Sequence, residues 1–346
     1  MRNKLIDSTR GACIILVILY HFNVGSFFDK NGLYGVLVFF IISGYCMVKS
    51  VQSSQNLSDF LKKRLFRLIP ALIVCGLITT VVENAFSTVL PQNLHSFTDY
   101  IKNIIFLPFL NIPSKLIGLI VTDFNTIKLV DGSYWSLIVE IKFYYLLSIL
   151  YFIVSKKRHD FLLLICCVIL AILIKSALVL NLPIPSLIVD FTEYLPYFII
   201  GIGLNIIHFT DSKKGILLVV LSLMMIVLMD LAGIQALSLP MKVNAFIATL
   251  LAIFWIYWVK YLNIVNPMLN FLFSLLAFIG KISYPLYLLH QELGLLLIKM
   301  LSDHIGSVLS KLMVSVFLVF LAMIINKYFE NILHNKKNIY KPNFNN

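Results

Sequence analysis

The chain has 346 residues, of which 60% are hydrophobic and 13% charged, with a mean hydropathy of +0.93. A soluble domain carries roughly 25% charged residues, so this composition excludes a soluble globular fold, along with disordered, collagen-like, coiled-coil and small disulfide-rich classes. The net charge of +12 would suggest nucleic acid in a soluble protein; in so apolar a chain it follows from membrane topology, and no nucleic-acid partner is expected.

A helix needs roughly 20 apolar residues to cross hydrocarbon. In chain order, stretches that meet or nearly meet that length cover about 11–28, 33–48, 68–90, 134–154, 161–180, 191–209, 215–231, 243–259, 282–301 and 308–328. The pattern predicts an all-α polytopic membrane protein of about ten transmembrane helices, forming a single domain over 1–346. The apolar run 268–279 is shorter and reads as an interfacial or re-entrant helix. Basic residues precede the first stretch, but no A-x-A-like cleavage site follows, so it is read as a retained first span. Residues 91–133 carry Pro91, Pro108 and Pro113 with apolar patches at 104–110 and 116–121. They are expected to form an extracytoplasmic cap lying on the membrane, and residues 331–346 a cytoplasmic tail.

Lys and Arg concentrate in cytoplasmic loops. With the N-terminus inside and ten spans crossing, 19 of the 28 Lys and Arg fall inside and 7 outside. Both termini are therefore expected in the cytoplasm, and the protein in the inner (cytoplasmic) membrane. Cys13, Cys46, Cys75, Cys166 and Cys167 all lie in apolar runs without zinc-ligand spacing, so they read as hydrophobic filler and no metal is expected.

Ionisable side chains within hydrocarbon cost at least about 2.5 kcal/mol each, which makes them candidate functional residues. Glu83, Glu193 and Asp230 lie near span ends, where snorkelling suffices, and Lys175 reads the same way. His21 follows Arg10 by eleven residues, roughly 16 Å along a helix. Glu140 is six residues into its span, and His290 nine residues beyond Lys281. These depths allow His21, Glu140 and His290 to share a polar chamber near mid-membrane. A His–Glu pair there handles protons, the carboxylate orienting the imidazole. The alternative is a histidine acting only as interhelical hydrogen-bonding glue. Lys62-Lys63-Arg64-Leu65-Phe66-Arg67 reads either as positive-inside charge touching anionic lipid or as a donor site. Arg64 and Arg67 are three apart and share a helix face, where two guanidiniums can hold a diphosphate.

Five stretches resemble the acyltransferase-3 family of integral-membrane acyltransferases, which O-acylate cell-surface polysaccharides. Ile6-Asp7-Ser8-Thr9-Arg10-Gly11 and the run to His21 match its Arg-x10-His opening. Phe39-Phe40-Ile41-Ile42-Ser43-Gly44 matches an "FFxxSG" span, and Lys63-Arg64-Leu65-Phe66-Arg67-Leu68-Ile69-Pro70 resembles an "RRxxRxxP" loop. Trp135-Ser136-Leu137-Ile138-Val139-Glu140-Ile141-Lys142-Phe143-Tyr144 resembles "WSLxxExxFY", and Ile282-Ser283-Tyr284-Pro285-Leu286-Tyr287-Leu288-Leu289-His290 resembles "ISYxLYLxH". Together they cover about 4–330. Leu37 stands where the family usually has Asp, Ile141 where an acidic residue follows the key Glu, and Ser8-Thr9 where Gly-Leu is commoner.

The resemblance implies acyl-CoA, most often acetyl-CoA, as a cytoplasmic co-substrate, with no further cofactor, and a surface or lipid-linked glycan hydroxyl as acceptor. It gives His21 the role of general base or transient acyl acceptor, with Glu140 orienting it. Arg10, Arg64 and Arg67 would bind the donor, with Trp135, Tyr144 and His290 supporting the acceptor. Tyr134, Tyr144, Tyr145 and Trp135 could stack on sugars or simply anchor at the interface; Ser43-Gly44 reads as close helix packing. Another acyl group or acceptor (succinyl, peptidoglycan, a lipid, an antibiotic), a transporter or flippase of a lipid-linked sugar, and an export-complex scaffold are the competing readings.

Overall fold

A computed structural model describes residues 4–86, 96–106, 129–154, 165, 167–169, 173, 186–231, 239–262 and 264–330. The predicted span over 161–180, most of the predicted cap and the predicted tail lie outside these residues. The described elements are all helical: α1 (Lys4–His21), α2 (Phe28–Asn31), α3 (Tyr34–Gln52), α4 (Leu57–Ala85), α5 (Phe97–Phe106) and α6 (Tyr134–Ile149, continued by a π-turn to Val154). They continue with α7 (Ser186–Phe209), α8 (Ser212–Leu231), α9 (Leu239–Val259), α10 (Pro267–Lys281), α11 (Ser283–Leu289), α12 (Glu292–Ile305) and α13 (Ser307–Ile325). Among the described residues six helices are long and apolar enough to cross a membrane, or seven if α10 and α11 form one broken span. The molecule is thus a multi-pass membrane protein, all helical among the described residues, and six or seven of the ten expected spans meet this length and composition there.

Local chemistry explains where the helix ends differ from the apolar runs. α1 begins at Lys4 and stops at His21, not at 28. Asn23 takes a left-handed φ of 49°, its N–H bonds the Tyr20 carbonyl at 3.1 Å, and the Val24 N–H bonds that of Leu19 at 3.0 Å. This paired closure terminates a helix by satisfying its last carbonyls. The predicted span 282–301 is likewise interrupted at His290–Gln291, between α11 and α12. The short run expected at 268–279 is a helix of 15 residues.

The chain forms two compact units. The first comprises Met1–Leu61 and Val139–Gly280. Here α1 and α3 run antiparallel: a Cβ on Gly32 would strike Tyr20 and the Leu16 carbonyl, and one on Gly35 the Cys13 carbonyl and Val17. Going three residues forward, from Gly32 just before α3 to Gly35 within it, thus moves the contact three residues back on α1. α3 meets α7 even more closely. A Cβ on Gly44 would lie 2.0 Å from the Phe198 carbonyl oxygen, and one on Gly201 2.0 Å from that of Ile41. Small residues let two backbones approach, and van der Waals packing then holds the helices where lipid supplies no hydrophobic drive. The Phe198 ring is buried between Phe40, at 4.8 Å, and Phe143, stacked at 4.1 Å.

The second unit comprises Lys62–Ile138 and Lys281–Asn346. Pro70 lies inside α4, where it lacks the donor for one backbone bond. Two tyrosines grip α4 nearby: Tyr284 donates to the Leu68 carbonyl at 2.9 Å and Tyr100 to that of Ile73 at 3.1 Å. Gly306, at φ 80°, turns the chain from α12 into α13, a conformation an L side chain rarely adopts.

Candidate active site

Arg10 and His21 share α1, separated by eleven residues, or about three turns. They therefore lie on one face roughly 16 Å apart. Ile14 and Val17 lie between them on that stripe and are buried. Arg10 is six residues inside the helix instead of at its mouth. Its guanidinium donates to the Cys46 sulfur at 3.6 Å and lies 3.9 Å from the Asp7 carboxylate. His21 is the last helical residue, half-buried, with its ring edge-on to Tyr20 at 4.8 Å.

Glu140 is set by α6 and α3 together. Its Oε1 accepts hydrogen bonds from the Ser43 hydroxyl, in a short contact, and from the Tyr144 hydroxyl one turn along α6 at 2.6 Å. Tyr144 is itself buried, edge-on to Phe60 at 6.3 Å. Ser43 thus does more than allow helix packing; that task falls to Gly44.

The register of α1 on α3 corrects the expectation that Glu140 and His21 share a depth. Ser43 is eight residues beyond Gly35, roughly 12 Å along α3, while His21 lies about 9 Å the opposite way from the Cys13–Val17 contact. The two levels differ by roughly 20 Å. Glu140 instead shares a neighbourhood with Arg10, whose partner Cys46 is one turn from Ser43 on α3. Counting residues from each helix end missed this because α1 stops early and is offset against α3.

In the second unit, Arg64 (half-buried) and Arg67 (exposed) lie three residues apart on α4, and Trp135 is half-buried in the first turn of α6. His290 is fully buried at the helix break, and its Nδ1 lies 2.6 Å from the Tyr287 carbonyl. A carbonyl only accepts, so Nδ1 carries the proton. Tyr134 and Tyr144 are buried in their respective units, which removes both rings from the expected sugar-stacking surface.

A buried knot organises this unit. Asp131 Oδ1 accepts from the Ser133 N–H at 2.8 Å and hydroxyl at 2.5 Å, and Oδ2 from the Glu292 N–H at 3.1 Å, the first residue of α12. A carboxylate at a helix N-terminus satisfies an orphan donor and suits the dipole. Burial nevertheless pushes its carboxyl up to about 7, against the lowering effect of those hydrogen bonds. Ser136 donates to the Tyr287 hydroxyl at 2.9 Å, and that hydroxyl to the Ser133 carbonyl at 3.2 Å. Asp131 escaped notice because it lies outside the apolar runs; the Asp-Gly-Ser sequence ahead of one is the turn signal that marks it. Among the described residues no three His, Cys, Asp or Glu side chains gather to hold a metal.

Comparison with known proteins adds a family. A family model described as an acyltransferase domain matches residues 3–327. The chain is 42% identical over 52 residues to an O-acetyl transferase of Shigella phage Sf6, covering 15% of this chain and 16% of that protein. It is 33% identical over 95 residues to the peptidoglycan O-acetyltransferase OatA of Listeria monocytogenes, covering 26% of this chain and 15% of OatA. The matches span less than a fifth of the length of these relatives. No solved structure matches significantly.

Proposed function

This chain belongs to the acyltransferase family whose model matches residues 3–327, and from that premise we propose that it is a membrane O-acyltransferase moving an acyl group, acetyl in the first instance, from acyl-CoA to a hydroxyl of a surface or lipid-linked glycan. The observation that carries the reading is the placement of Arg10 and His21 on one face of one unbroken helix. An arginine and a histidine whose backbone positions lie roughly 16 Å apart along one helix suit a donor whose anionic head and reactive thioester are joined by a long arm.

In this reading Arg10 holds donor phosphate by charge-assisted hydrogen bonds. His21 takes the proton from the acceptor hydroxyl, whose oxygen attacks the thioester carbonyl. The C–S bond breaks, the thiolate leaves and takes up a proton, and an O-acyl ester and free CoA result. In a variant of the scheme the imidazole accepts the acyl group first and passes it on. Arg64 and Arg67 supply a guanidinium pair for a further phosphate, and Trp135 and His290 support the acceptor. The positive-inside pattern of the basic loops supports a donor on the cytoplasmic side of the inner membrane and an acceptor beyond it.

The test supplies labelled acetyl-CoA to inside-out vesicles and follows label into surface glycan. Wild-type protein is expected to transfer, and His21→Ala to transfer at least about a hundred-fold less. Equal labelling without the protein overturns the function, and undiminished transfer by His21→Ala overturns the mechanism.

A further inference from the structure

We propose that Glu140 is a donor-recognition residue, and that Ser43 and Tyr144 are positioning residues which hold one of its oxygens so that the other accepts an N–H from the donor's arm. The inference rests on the acyl-CoA reading and deepens it.

Three observations carry it. First, Ser43 on α3 and Tyr144 on α6 both donate to the same oxygen, Oε1. Two donors arriving from two helices fix the carboxylate plane, and among the described residues Oε2 accepts no hydrogen bond. Glu140 is only partly buried, so that oxygen is reachable. Second, the arrangement is not an ion pair in disguise. Arg10 contacts Cys46 and Asp7, and no ion pair joins it to Glu140, although Cys46 and Ser43 are a single turn apart on α3. A cation and a carboxylate whose α3 partners are one turn apart, and which do not pair with each other, suit a ligand that carries both an acceptor and a donor group. Third, the α1–α3 register puts Glu140 roughly 20 Å from the level of His21, too far for it to orient the imidazole directly.

The donor chemistry that meets all three is a phosphate followed by an amide-containing arm with a thioester at its tip. Arg10 takes the phosphate, Glu140 Oε2 accepts an amide N–H of the pantetheine portion, and the arm runs on along α1 toward His21. A hydrogen bond to a charged acceptor is among the stronger kinds. Its geometry depends on the two hydroxyls that hold Oε1.

Equilibrium binding to the full-length protein in nanodiscs tests this without an acceptor. The probes are CoA and adenosine 3′,5′-bisphosphate, which has phosphates but no arm. Tyr144→Phe keeps the ring against Phe60 and removes only the hydroxyl; Ser43→Ala removes the other donor. Each is expected to weaken CoA binding about ten-fold, with the thermal midpoint and the bisphosphate affinity unchanged, and Glu140→Gln to do at least as much. In the Glu140→Gln background, Tyr144→Phe is expected to cost nothing further, since coupling through one group is non-additive. Additive losses, or equal losses for both probes, overturn the inference while leaving the acyltransferase reading intact. Failure of the wild-type protein to bind CoA overturns both.

Discussion

Replacing Gly44 by alanine places a methyl group where α3 and α7 are closest. The new Cβ would lie 2.0 Å from the Phe198 carbonyl oxygen, against 3.4 Å for ordinary contact, so the helices must part by about 1.4 Å. The atom it strikes is backbone, and no rotamer change relieves it. Alanine's better helix propensity returns up to about 1 kcal/mol, whereas overpacking costs about 1–3 kcal/mol. The upper end applies here, because Phe198 is also held between Phe40 and Phe143. A net loss of about 1–2 kcal/mol is expected, with weaker transfer because Ser43 moves with the helix. Thermal unfolding of the detergent-solubilised protein reads the first effect and the vesicle assay the second. Gly76→Ala serves as comparison: its Cβ would meet side chains alone, the edge of the Tyr100 ring at 3.3 Å and the Tyr134 hydroxyl at 3.7 Å, and should cost less. Gly44→Ala unfolding at the wild-type temperature, with full activity, would refute the close-approach argument.

Two further outcomes follow from the same geometry. The Asp131 carboxyl has a reference value of 3.8 and is raised by burial to about 7; between these values the folded state binds more protons. Stability is therefore full below about pH 4 and falls as pH rises through 7, by up to about 4 kcal/mol. Thermal midpoints measured at pH 5 and pH 8 should show this drop in the wild type and a much smaller one in Asp131→Asn; an equal drop in both would assign it elsewhere. At Asn23, with φ 49°, glycine should be tolerated, whereas valine should lower stability by about 1–2 kcal/mol and reduce transfer by unsettling the end of α1. A valine variant as stable as the wild type would contradict the role given to this turn.

Much of the architecture was legible because membrane helices must satisfy their own backbone, which leaves apolar length as a direct signal. The order of the motifs and the shared face of Arg10 and His21 were legible for the same reason: a continuous helix fixes them. Helix ends were not. The stop at His21 depends on one left-handed asparagine inside an apolar run, and the break at His290 falls in another. Register was not legible either, because nothing in either helix alone says that Gly35 meets Cys13 and Val17. That single contact separates Glu140 from His21 and brings it to Arg10. Asp131 was missed by a search confined to charges inside hydrocarbon.

The unbroken course of α1 works as a ruler. Distance and bearing between its two marked residues are set by the backbone spiral, independent of any loop. Adding one residue between them would swing the imidazole about 100° around the axis, whereas adding seven would keep its bearing and lengthen the scale by about 10 Å. Cargo would thus be sorted by the reach of its carrier as well as by its charge.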